Sequence, residues 1–327
     1  MTPFLPIALA RQFARSRQHN PADRCPFHVR VAVVQTAFPS PCNFTKEDRE
    51  LNDPSTRRTH RRHLSSVLGG VRRMLLVRDS HLADSRAVEL VVLPELAVHP
   101  DDVQTILIPF ARQHSCAIYT GVVFHPARPG GPLINASQWI LPVRSKSGLQ
   151  FQHVMQGKYY LTEDEKKLDI ASFRPAQWLL EFADPSTGEP SWSMSGAICY
   201  DATDLCLAAD LRDKTDLFLV PALNRDVGTF DNMVAALHYH MFQHVIVANS
   251  GGFGGSTAQA PFDDRNSRTI FHSHGGEQVA ISFFDIDLGT YRDRKRVAGT
   301  PGPAADPLKT PAASPLKTPP AGYCRGR

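Results

Sequence analysis

No apolar run in this chain of 327 residues approaches the roughly 18 residues that a membrane-crossing helix requires, which excludes a helical span. The six cysteines, Cys25, Cys42, Cys116, Cys199, Cys206 and Cys324, form no CxxC pair and no zinc spacing. They therefore read neither as a metal finger nor, in a chain this long, as a disulfide framework, and a reducing compartment is expected. Acidic residues are absent before Asp23, and the opening MTPFLPIALARQFARSRQHN places its apolar piece ahead of its arginines. A secretory signal has the reverse order. The segment 1–28 reads as a disordered basic leader and the protein as cytoplasmic, with an organelle matrix as the alternative if the leader is a transit peptide.

What is present points to one large domain. Hydrophobic residues make up 42% of the chain and charged residues 21%, enough to bury a substantial core. From residue 298 the chain turns Pro- and Ala-rich, with PLKTP occurring twice. Proline at that density blocks helix and sheet ladders, so 298–327 is expected to be a disordered or polyproline tail and 29–297 the folded domain. Two arginine-rich stretches, RRTHRRH at 57–63 and RDRKR at 292–296, lack aromatic interleaving or any binding motif. They read as solvated charge, and no nucleic acid or membrane partner is expected.

Within the domain two periodicities alternate. VRVAVVQTAF, ELVVLPEL and CAIYTGVVF are β-branched runs that read as buried strands. Leu64, Val67, Leu68, Val71, Met74 and Leu75 recur at helical spacing, and Val103, Ile106, Leu107 and Phe110 mark a second helix. INASQWILPV and LQFQHVMQGKYY read as consecutive strands around a glycine turn. QWLLEFA, SWSMSGAICY, DLFLVPAL, HVIVANS and EQVAISFFDIDL read as further strands, with helices from about Ala202 and near Met233 to Gln243 between them. This order implies a layered α/β fold.

Three reactive residue types end such runs: Glu95 in ELVVLPEL, Lys158 in FQHVMQGKYYL and Cys199 in SGAICYDATD. Ligand sites of α/β sheets lie outside the carboxyl ends of strands, so a carboxylate, an ammonium and a thiol can converge there for covalent catalysis. Each residue alone has a plainer reading, as a solvated charge or a small buried hydrophobe. The ordered trio is more specific.

VVLPE, GKYYLTEDE and GAICYD resemble the three signatures of the nitrilase, or carbon–nitrogen hydrolase, superfamily over about residues 29–288. The resemblance implies an αββα sandwich that becomes four-layered, αββα–αββα, in a homodimer or larger assembly. It implies Glu95 as general base, Lys158 as oxyanion-stabilising lysine, Cys199 as nucleophile and the backbone N–H of Tyr200 as a second oxyanion donor. Leu161 and Glu165 match the family's K-x-x-L-x-P-x-E, with Glu163 in place of the proline. Glu165 then aligns with a second glutamate that orients substrate and lysine, although locally it reads as an exposed charge at a helix start. The reaction implied is hydrolysis of a small-molecule amide or N-carbamoyl group through a thioester, with no cofactor and no metal. Nitrile hydrolysis, acyl transfer and a non-catalytic partner-fed module stay open. The chain departs from the family's CYDxxFPE, having CYDATDLC, and from its Arg-Ala-Ile-Glu-Asn helix, having HYHMFQH.

Other features carry less. His240 and His244 would share a helical face as metal ligands do, but no carboxylate completes a motif, and His272 with His274 reads the same way. GGFGGS lacks the Lys-Ser/Thr of a phosphate loop and reads as a tight turn. Asp201, beside the nucleophile, reads either as a perturber of its pKa or, equally well, as a cap for the following helix. Tyr119, Tyr160, Asn224 and Phe253 are the expected pocket walls.

Overall fold

In the strand His28–Gln35, Val29, Val31 and Val33 join one buried cluster while Ala32 and Val34 join another. Successive strand residues point to opposite faces, so this strand is covered on both. The computed structural model describes residues 7–14, 28–82, 87–145, 148–183, 190–289, 291 and 316–321. Its strands are β1 (Ile7–Ala14), β2 (His28–Gln35), β3 (Leu90–Val92), β4 (Ala117–Pro126), β5 (Leu133–Ser145), β6 (Gly148–Gly157) and β7 (Gln177–Ala183). They continue with β8 (Pro190–Gly196), β9 (Leu217–Ala222), β10 (His244–Asn249), β11 (Ser256–Gln259), β12 (Thr269–Ser273) and β13 (Ala280–Asp287). One sheet runs β13-β2-β3-β4-β5-β6 and the other β1-β7-β8-β9-β10-β11-β12. Parallel pairing joins β2 to β3 and β3 to β4 in the first, and β8 to β9 and β9 to β10 in the second.

The sheets pack face to face. Val31, Leu90, Val92, Tyr119 and Trp139 meet Phe182, Trp192, Met194, Leu219 and Ile246 in one cluster. Tyr119 stacks on Trp139 with ring centroids 3.7 Å apart, and Phe182 on Trp192 at 3.9 Å. Helices cover the outer faces. Leu64, Val67, Leu68 and Val71 of α1 (Pro54–Leu82) pack on the first sheet, as do Ile108, Phe110 and Ala111 of the helix Ile108–His114, which a short turn, α2 (Pro100–Asp102), leads into. We label Ile108–His114 α3 and the short helix Glu163–Lys167 α4. On the second sheet lie Leu207, Ala208 and Leu211 of α5 (Leu205–Leu211), with Phe230, Val234 and Leu237 of α6 (Val227–His240). A last short helix, α7 (Arg265–Arg268), precedes β12. The result is an αββα sandwich with the carboxyl ends of β3, β8 and β9 on the same rim.

Several elements differ from expectation. Residues 7–14, read as part of a disordered leader, form β1 beside β7. An open strand edge recruits a neighbour through backbone groups, which no side-chain pattern announces. Residues 316–321 of the tail are seated on the domain: Phe262 and Leu316 form an isolated antiparallel bridge. The remainder of the leader and tail, including 292–296, lies outside the described residues. α1 begins ten residues before Leu64, with Asp53 accepting from Thr56 N–H at 2.8 Å, so RRTHRRH is helical. Arg57 and Arg61 hold the buried Asp102 at 2.8 and 3.1 Å, while the buried His60 bonds Ala97 O at 2.8 Å. Part of this stretch therefore faces the protein, not solvent. Among the described residues no helix is long and apolar enough to cross a membrane.

Candidate active site

Each of the three reactive residues sits on backbone fixed by a neighbouring strand. After β3, Leu93 N–H bonds Tyr119 O at 3.0 Å and Pro94 O accepts from Gly121 N–H at 2.9 Å. β4 runs so close that a Cβ on Gly121 would stand 2.3 Å from Glu95 Cα, and only glycine fits there. Lys158 follows Gly157, where a Cβ would fall 1.8 Å from Phe173 O. Its own N–H and C=O are bound to Asn135 O and Phe173 N–H at 3.0 and 2.8 Å. Cys199 lies three residues beyond β8 with φ +46°, a left-handed conformation costing roughly 1–2 kcal/mol for a residue with a Cβ.

The side chains meet in one buried network. Lys158 Nζ donates to Glu95 Oε1 and to Glu165 Oε2, both at 2.8 Å, with all three side chains at most 7% exposed. Asn135 Nδ2 donates to Glu95 Oε1 at 2.7 Å and to Glu165 Oε1 at 2.6 Å. Leu223 N–H, just past β9, donates to Glu95 Oε2 at 2.9 Å. The Cys199 thiol adjoins this network, near enough for the Glu95 and Lys158 charges and the Leu223 N–H to act on it. Glu165 is no exposed charge: it and Thr162 form the reciprocal cap of α4, with Thr162 N–H 2.7 Å from Glu165 Oε2.

One ammonium faces two carboxylates, which leaves the cluster with a net negative charge beside the sulfur. Burial, then the Glu95 charge, push the Cys199 thiol well above its ordinary value, against Lys158 and the Leu223 N–H. Burial alone would push the Lys158 ammonium down. The Glu95 charge, that of Cys199 once it ionises at high pH, and the Glu165 charge outweigh it and hold Lys158 above the ordinary lysine value. Burial would likewise raise Glu165, but the Lys158 charge and the hydrogen bonds from Lys158, Asn135 and Thr162 hold it below the usual carboxylate range. At neutral pH the sulfur is therefore a thiol next to a carboxylate, not a preformed thiolate.

Behind the nucleophile, Asp201 does not cap the following helix; Asp204 does, accepting from Cys206 N–H at 2.9 Å. Asp201 is fully buried and accepts from Tyr159 N–H at 3.0 Å, Tyr160 N–H at 2.7 Å and the Arg174 guanidinium at 3.1 Å. It ties the backbone after Lys158 to the backbone after Cys199. Burial pushes its carboxyl up, against Arg174 and the two amides.

Of the expected pocket walls, Tyr119 is corrected. It is wholly buried between the sheets on Trp139, because position 119 falls on the inward face of β4. Tyr160 lines a cleft of about 510 Å³ with Tyr159, Leu161, Lys166, Ile170, Ser172 and Tyr200, the last with its side chain half exposed. Asn224 follows Leu223, and its N–H is bound by Asn249 Oδ1 at 2.9 Å. Phe253 belongs to the β10–β11 turn, where its N–H bonds Ser250 O. In that turn Gly254 has φ +75° and a Cβ there would meet Gly275 O at 2.3 Å, which makes GGFGGS a close-packed turn. His240 ends α6 while His244 opens β10, so the two share no helical face; His244 packs edge-on against Tyr291. His272 bonds Asp231, and among the described residues no cluster of three or more His, Cys, Asp or Glu is arranged to hold a metal.

Sequence reasoning missed Asn135 and the Leu223 amide. Asn135 is one polar residue in an apolar strand, and the amide has no side-chain signal at all.

No family model matches the chain, and no curated protein matches it. Solved structures do. Saccharomyces cerevisiae Nit3, described as a member of branch 10 of the nitrilase superfamily, superposes with TM-score 0.54 at 14% identity, over 82% of this chain and 94% of that one. A mutant of the amidase from Nesterenkonia sp. AN1 in complex with butyramide gives 0.53 at 15%, over 82% and 94%. XC1258 from Xanthomonas campestris, a CN-hydrolase superfamily protein with an arsenic adduct in its active site, gives 0.52 at 16%, over 83% and 96%. The chain has the fold of these nitrilase-superfamily structures.

Proposed function

We propose that this chain is a nitrilase-superfamily hydrolase of non-peptide carbon–nitrogen bonds, acting on a small amide or N-carbamoyl compound. The observation that carries the reading is the Lys158 ammonium clamped 2.8 Å from both Glu95 and Glu165, beside a thiol on left-handed backbone. Such a cluster is costly to bury, and a structural ion pair has no use for an adjoining sulfur.

Cys199 attacks the carbonyl carbon while its proton passes to Glu95, so no free thiolate has to accumulate in a negatively charged pocket. Two of the three Lys158 N–H bonds go to the glutamates. The third is assigned to the oxyanion, with the backbone N–H of Tyr200 as second donor. Glu95 returns its proton to the leaving nitrogen, the C–N bond breaks, and ammonia or an amine departs. Water then adds to the thioester with Glu95 again taking the proton. The C–S bond breaks and the proton returns to sulfur. Glu165 and Asn135 hold Lys158 and Glu95 in place throughout. The amide preference is supported by the amidases among proteins of this fold, and the same resemblance underlies a proposed homodimer.

Ammonia release from a panel of amides, ureido acids and nitriles tests the substrate class, with turnover confined to nitriles replacing the amide reading. An electrophilic acyl probe tests the chemistry: labelling is expected to vanish in Cys199→Ala and to collapse in Glu95→Gln. Labelling indifferent to both changes would favour a non-catalytic module.

A further inference from the structure

The tail residues 316–321 occupy a defined groove on the domain. Leu316 packs against the inter-sheet core and its backbone bridges Phe262. Lys317 N–H donates to Pro261 O at 2.9 Å, and the Lys317 ammonium stands 5.3 Å from the centroid of the Tyr239 ring. Arg212, at the end of α5, donates to Pro320 O at 3.3 Å and Ala321 O at 3.1 Å. The groove thus holds Leu316 and Lys317 by side chain, and Arg212 holds Pro320 and Ala321 by their backbone oxygens.

That reading matches a repeat in the sequence. PLKTP occurs at 307–311 and again at 315–319. The first copy supplies Leu308 and Lys309 in the places of Leu316 and Lys317. Ala312 and Ala313 supply the carbonyls in the places of Pro320 and Ala321. Reach is sufficient. Tyr291 and Phe262 both pack on His244, so the domain ends beside the groove. Leu308 lies seventeen positions beyond Tyr291. An extended chain of that length spans about 55 Å.

We propose that this groove is a docking site for the Pro-Leu-Lys-Thr-Pro motif and that the copy at 307–311 is its second occupant, so that the tail docks in two alternative registers. Each copy holds the other at high effective concentration, and whichever is undocked is left available. Thr318, exposed beside the groove, makes no demand on the register.

Limited trypsinolysis of the full chain tests this, because each copy carries one cleavable lysine. Cleavage follows the population of the undocked segment. In Leu316→Asp the second copy should leave the groove: cleavage after Lys317 accelerates, while cleavage after Lys309 slows several-fold as the first copy takes its place. In Leu308→Asp the opposite shift is expected, and in the double variant both lysines are cut fast. Lys309 cut at one rate in wild type and in Leu316→Asp would overturn the second occupant. Lys317 cut as fast in wild type as in the double variant would overturn the groove itself.

Discussion

Cys199 owes its state to neighbours, not to its own chemistry. Burial and the Glu95 charge lift its thiol well above the ordinary value, so ionisation is displaced to high pH. Alkylation of Cys199 by iodoacetamide in the resting protein should remain slow through neutral pH and keep rising beyond pH ~10, where an unperturbed thiol has levelled off. Peptide mapping can follow it beside the exposed Cys42 and Cys206. A plateau at neutral pH would mean a preformed thiolate. Asn135 has the complementary role, since one amide nitrogen satisfies both carboxylates. Asn135→Asp keeps the shape but sets a third carboxyl against two, so kcat should fall by about 100-fold or more with KM little changed. The acid limb of the pH profile should move upward, as expected where like charges share a site; a change in thermal stability with kinetics intact would make Asn135 merely structural. Glu95, Lys158 and Cys199 were legible because they are chemically conspicuous at strand ends. Asn135 was not, since an asparagine inside INASQWILPV has no local mark of what lies across from it.

Elements were legible where burial imposes a period. The runs that became β2, β9 and β10 and the apolar stripe of α1 are of this kind. β11 and β12 went unseen because they are short and mixed in polarity, and β1 because edge pairing is a backbone affair. The arginine-rich start of α1 looked like solvated charge, yet Arg57, His60 and Arg61 secure the segment after Glu95. Backbone approach between elements carries a further expectation. Gly121→Ala would place a methyl 2.3 Å from Glu95 Cα, and the loop rather than the strand must give way. Steady-state kinetics should show kcat reduced more than the loss of stability explains, because a displacement near 1 Å at a catalytic group can cost about 100-fold. Full activity in a folded Gly121→Ala protein would show that the close approach does not position Glu95.

For the whole molecule, pH stability follows from buried histidines. Burial, opposed by the bond to Ala97 O, lowers the His60 pKa to about 4, and burial lowers His238 to about 4. The unfolded chain binds these protons at about pH 6.5, so between 6.5 and 4 it holds more protons than the native state. Stability is complete above that window and declines as pH falls through it. His60 alone accounts for roughly 3 kcal/mol by pH 4. Urea denaturation across this range should show the midpoint dropping toward acid, less steeply in a folded His60→Gln variant. An unchanged slope in that variant would assign the acid sensitivity elsewhere.

The sequence by itself determined which chemistry was on offer, since residue types and their positions at the ends of apolar runs are properties of the chain. It also determined the layering, because a strand's two-residue repeat and a helix's wider stripe must each find apolar cover. Only the tertiary structure decided which polar groups meet: Asn135 against two glutamates, Leu223 N–H against Glu95, Asp201 across to the backbone beyond Lys158. Those encounters depend on how strands and loops far apart in sequence come into register across the fold, and hydrogen bonds that act over about 3 Å leave no trace in the spacing of residues along one strand.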